Sequence, residues 1–168
     1  MEKFLKAIDV ITERTGQIIH WLFLALTVTV SYDLLRRYFT GSSTFWAFDL
    51  NYMIYGVNFM LGAAYTLKYD AHVRVDFLLL KLSAKKRAMM EVLFYILIFF
   101  PMCLICFWAS LNHWLMSVQF RETSQMSPWR PPIYPYKTVM PLAFLLLLLQ
   151  GFALFFRNLM VMLGKGSD

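Results

Sequence analysis

An all-α integral membrane protein with four transmembrane helices is predicted by three observations. The chain of 168 residues is 60% hydrophobic and 18% aromatic, with only 15% charged residues. An ordinary soluble domain carries about a quarter charged residues. Its apolar residues fall in four long runs, at 18–35, 45–67, 92–111 and 139–163. A helix needs roughly 20 mostly apolar residues to cross about 30 Å of hydrocarbon. Finally, the basic residues segregate by side. With the N-terminus in the cytoplasm, 11 Lys and Arg lie on the inner side and 5 on the outer side, so both termini are expected inside. The positive-inside rule accounts for the net charge of +6, and nothing supports a nucleic-acid partner. With no internal repeats and no low-complexity tails, residues 1–168 read as one four-helix membrane domain.

Taken in order, residues 1–16 predict an amphipathic arm in the headgroup region, with Phe4, Ile8 and Ile11 on its apolar side. The first span is expected to remain in the protein: Glu2, Asp9 and Glu13 interrupt the basic stretch, and no small-residue cleavage site follows it. Near its outer end lies Asp33, with Arg36 and Arg37 three and four residues later, the spacing at which side chains meet on a helix. That pattern fits either a local ion pair or a charged contact to a partner subunit.

The second span opens on Asp49, an acid favoured near a helix N-terminus. Asn51, Tyr55, Asn58, Gly62 and Tyr65 then recur at 4-3-4-3 spacing along one face. Amides, phenols and a glycine suit close packing with interhelical hydrogen bonds better than lipid. Whether that packing is within this chain or against another protein stays open. The inner connection carries His72, Arg74 and Asp76, an apolar run at 77–80 and the cluster Lys85-Lys86-Arg87, which together predict an interfacial segment between the second and third helices.

In the third span Pro101 should kink the helix or loosen its first turns. Cys103 and Cys106 flank two apolar residues at mid-membrane and read as packing residues, not as a redox pair. The outer connection holds four of the six prolines and is expected to be extended and irregular, with Trp129, Tyr134 and Tyr136 as headgroup anchors. Gln150, deep in the fourth span, needs a partner on another helix.

Nothing in the sequence resembles an active site. No nucleophile is paired with a base, no glycine loop cradles a phosphate, and neither metal nor cofactor spacing is present. Haem ligation between helices needs histidines paired at one depth within spans, but His20 is expected at an inner edge, His72 in the inner loop and His113 at an outer edge. Nor does the chain carry the inverted repeat or broken helices of a complete transporter.

The segment His72-Val73-Arg74-Val75-Asp76, closely following Gly62-Ala63-Ala64-Tyr65-Thr66-Leu67, resembles the small membrane subunit of TRAP (tripartite ATP-independent periplasmic) transporters. The likeness extends through Arg37-Tyr38-Phe39 at the end of the first span and an acid opening the second, here Asp49 where glutamate is usual. It continues through Tyr134-Pro135-Tyr136-Lys137 and Gln150-Gly151. The last two segments are similar to a branch labelled for mannitol, chloroaromatic or 2-oxo acid substrates.

The resemblance implies a bacterial inner-membrane complex of three parts. A periplasmic binding protein captures an organic acid, and a large elevator-type subunit carries the substrate and Na⁺ sites. The small subunit is their scaffold. On that reading, Asp33, Arg37, Asp49, Asn51, Tyr55, Asn58 and Gly62, with His72, Arg74 and Asp76 in the inner loop, are candidates for subunit or lipid contact. Arg74 is placed to bond a phosphate or carboxylate, and Asp76 to cap the helix that follows. Trp129 and Arg130 are candidates for the binding-protein contact. Two other readings are a stand-alone proton-coupled exporter using Asp33 and an assembly subunit of a respiratory complex.

Overall fold

The computed structural model describes residues 2–69 and 84–163, and among these the regular elements are helical. Helix α1 (Glu2–Thr40) has 39 residues, about 58 Å at 1.5 Å per residue. It ends where Gly41 takes the left-handed conformation (φ 66°) and donates its N–H to the Arg37 carbonyl (3.0 Å), a helix stop that glycine adopts without steric cost. Helix α2 (Ala47–Lys68) follows after a short turn. The second described stretch opens with α3 (Ala84–Phe94), one π-helical turn (Tyr95–Phe99) and α4 (Phe100–Gln119), which form one continuous rod. The single-turn α5 (Tyr134–Lys137) precedes α6 (Val139–Met162).

Pro101 explains the π turn. Its ring has no N–H to offer and collides with the carbonyl four residues back. Widening the preceding turn relieves that crowding, and Phe100 N–H reaches back five residues to the Tyr95 carbonyl. The loosening expected around the proline is this turn.

The helices form a row, not a closed bundle. Helix α6 is the centre, with α2 against one side and α3 and α4 against the other. Helix α1 packs along α2 and reaches α6 only through its first turns. There Leu5 and Ile8 bury against Ala153, flanked by Leu149, Phe156 and Met160. Two glycines let aromatic side chains approach closely. A Cβ at Gly56 of α2 would collide with the Tyr136 hydroxyl, and one at Gly151 of α6 with the Phe99 ring.

The amphipathic arm expected over 1–16 requires correction. Residues 2–16 continue α1 without a break, and its buried side is Leu5, Ile8 and Thr12, while Ile11 is exposed. The register against α6 decides which side is buried, since Leu5 and Ile8 pack on the apolar surface around Ala153. The interfacial segment expected between α2 and α3 lies almost entirely outside the described residues.

Three described helical stretches, Leu5–Thr40, Lys85–Gln119 and Tyr134–Met162, are long and apolar enough to cross a membrane. Helix α2 is long enough at 22 residues, but its amides, phenols and Asp49 dilute its hydropathy.

Candidate partner-docking face and its anchors

The polar stripe on α2 divides between two directions. Asn51 turns toward α1, where its Oδ1 accepts a hydrogen bond from Thr29 Oγ1 (2.5 Å). Tyr65 also faces α1, covering Gly16 and meeting His20 edge-on at 6.0 Å. Asn58, midway between them in heptad spacing, has both amide atoms buried and without a hydrogen-bond partner among the described residues. Tyr55 and Gly62, also seven residues apart, turn outward. Tyr55 is 60% exposed and stacks on Phe59, and open space lies where a Gly62 side chain would project.

At the C-terminal end of α1, Asp33 is buried and fully engaged. Its Oδ1 accepts the Thr44 N–H (2.9 Å), tying α1 to the turn that starts α2, and its Oδ2 pairs with Arg37 (2.8 Å). The i,i+4 ion pair read from the sequence is therefore present, and it also anchors a turn. Asp33 and Arg37, with Leu26 and Val30, form one wall of a groove of about 380 Å³ whose other wall includes Asn51 and Tyr55. Four of the ten residues singled out for subunit or lipid contact thus meet in one groove.

Asp49 is 1% exposed and holds the outer connection. Ser124 Oγ donates to its Oδ1 (2.5 Å) and Ser127 Oγ to its Oδ2. As a first-turn residue of α2, its charge also meets the positive end of the helix dipole. Asp49 thus spends both oxygens inside the chain. The proline-rich connection, expected to be extended and irregular, is irregular and is also pinned. Thr123 bridges Pro132, Ser124 N–H donates to the Pro131 carbonyl (2.8 Å), and Ile133 N–H to the Glu122 carbonyl (2.9 Å). Glu122 accepts hydrogen bonds from Lys137 Nζ (2.5 Å) and Ser117 Oγ (2.7 Å), and these hold its carboxyl below the usual carboxylate range. At the tip, Trp129 and Arg130 are exposed, and Arg130 is left-handed (φ 45°), an uncommon conformation for a residue with a side chain.

Asp9, Glu13, Thr12, Glu91 and Asn158, none of them a candidate for contact on sequence grounds, tie the helices together at the opposite end. Thr12 Oγ1 donates to Gln150 Oε1 (2.9 Å), Gln150 Nε2 donates to Asp9 Oδ1 (3.2 Å), and Asp9 Oδ2 pairs with Arg157. Lys68 Nζ joins α2 to this cluster through Glu13 Oε2 (2.6 Å) and the Asp9 carbonyl (3.2 Å). Tyr69 also donates to Glu13 (2.6 Å), which pushes its phenol up to about 12. Asn158 Nδ2 donates to Glu91 Oε2 (2.5 Å), joining α6 to α3. An available signal was that acids and bases sit at matching ends of helices required to run antiparallel. His72, Arg74 and Asp76 lie outside the described residues.

Among the described residues the regular elements are helical, three stretches are long and apolar enough to cross a membrane, and ion pairs gather at the helix ends, as in an integral membrane protein. Residues 26–160 match the family described as tripartite ATP-independent periplasmic transporters, DctQ component, and the chain belongs to that family. It is therefore a component of a transport system. Among curated proteins, none matches the chain.

Proposed function

We propose that the chain is the small membrane subunit that holds a large transport subunit in place, crossing the bacterial inner membrane four times with both termini in the cytoplasm. The observation that carries this reading is the uncovered α1–α2 face. Gly62 there offers a partner helix close approach, and Tyr55 beside it offers a phenol able to hydrogen-bond, the residue types that drive helix association in lipid. The uncovered surface of the π turn and α4 is different in character, with Leu97, Met102, Leu104 and Ile105 exposed, and it suits hydrocarbon. Family membership supports a partner of the large-subunit type and a periplasmic binding protein, with Trp129 and Arg130 on the pinned loop as its contact. An organic acid as substrate and Na⁺ as coupling ion follow from the same resemblance. Asp33 is committed to Thr44 and Arg37, which leaves an exporter without its free acid.

The test is co-purification of the co-expressed large subunit in mild detergent, together with Na⁺-driven uptake in vesicles. Gly62→Leu should leave the chain folded, because its side chain meets nothing within 4 Å, and yet lower recovery of the partner severalfold. Undiminished recovery and uptake would reject the α1–α2 face as the interface.

A further inference from the structure

We infer that the groove between α1 and α2 is a binding site for one phospholipid molecule, with an acyl chain along Val30 and Leu26 and the phosphate on Arg37. The inference rests on the membrane character of the chain and not on the large-subunit reading.

Shape selects the occupant. The groove holds about 380 Å³ and extends along α1 from Leu26 to Arg37, roughly 16 Å at 1.5 Å per residue. Running lengthwise between two packed helices, it fits a single hydrocarbon chain lying along it. The lining surface is mostly apolar, with Asn51, bonded to Thr29, across from Leu26 and Val30, and Asp33 and Arg37 stand toward the end of α1.

Charge selects the headgroup. A guanidinium carries five N–H donors, and the Arg37 side chain remains 54% exposed while bonded to Asp33. Its unused donors are available to a phosphate, which matches the planar fork of arginine. Asp33 offsets part of the Arg37 charge, but its two oxygens are engaged by Thr44 N–H and Arg37 and leave the guanidinium's outer donors uncovered. Arg36, with no carboxylate partner among the described residues, leaves this end of α1 one positive charge in excess.

The test uses the full chain with any membrane subunit that accompanies it, delipidated in mild detergent and titrated with phosphatidylglycerol under native mass spectrometry. One lipid per chain should survive activation that strips the rest. Val30→Trp, which fills the groove from an exposed position, should lower that retention about tenfold. Arg37→Gln should do the same by removing a charge-assisted contact, and circular dichroism should show both variants helical. Soluble glycerophosphate should fail to displace the lipid. Equal retention by wild type and Val30→Trp would reduce the binding to ordinary annular lipid and overturn the proposal. Displacement by glycerophosphate would overturn it too, by showing an anion site that needs no acyl chain.

Discussion

Gln150 and Thr12 stand 138 positions apart and share one buried hydrogen bond, which fixes the register of α1 on α6. Gln150→Leu leaves Thr12 and one Asp9 oxygen short of a partner. Within a membrane such a loss costs about 0.5–2 kcal/mol, to be read as a lower melting temperature in detergent. Adding Thr12→Val should recover part of it, since removing both partners is cheaper than orphaning one. Gly56→Ala should destabilise by about 1–3 kcal/mol through overpacking against Tyr136, whereas Gly62→Ala should be neutral in the isolated chain. The two glycines look alike in sequence. Gln150's need of a partner was legible, because an amide in hydrocarbon is costly, but the partner's identity depends on how two distant helices align. Thr12 was hidden for that reason, inside a segment whose apolar spacing also fits a surface arm.

At the scale of elements, the long helices were legible from apolar run length, and the widened turn before Pro101 from the missing N–H. The outer loop was not, because its prolines forbid regular structure without saying what the side chains between them do. Asp49 with Ser124 and Ser127, and Glu122 with Lys137, supply what composition could not reveal. The Glu122 anchor has a sign in pH. Its carboxyl is held below the usual range in the folded protein, so its contribution is complete above the ordinary glutamate value. It fades as pH falls through the lowered folded-state value. Amide hydrogen exchange over 120–133, corrected for intrinsic rates, should show opening at an acidic pH below the lowered folded-state value relative to neutral pH, and Glu122→Gln should be open at both. Equal protection of wild type at the two pH values would remove Glu122 from the anchor.

Viewed whole, the molecule places its ion pairs at two levels. Along α5 and α6, Lys137 and Arg157 are separated by about 20 residues, roughly 30 Å, the thickness of a bilayer's hydrocarbon core. Helix α2 has the same measure between Asp49 and Lys68, about 28 Å, and each end is bonded to a neighbour at the matching level. This register supports α2 as a fourth span despite its diluted hydropathy, with its amides and phenols shielded by α1 or by a partner. It makes a topological demand. The turn at 41–46 and the loop at 120–133 must share one side, because Thr44 and Ser124 meet the ends of α1 and α2 through Asp33 and Asp49. Single cysteines at Ser42 and Gln125, in a chain lacking Cys103 and Cys106, should both react with an impermeant maleimide added to cells whose outer membrane alone is opened. A cysteine at Lys3 should react only after the inner membrane is breached. Labelling of Ser42→Cys and Gln125→Cys from opposite sides would mean that α2 does not cross, and labelling of Lys3→Cys from outside would invert the whole molecule.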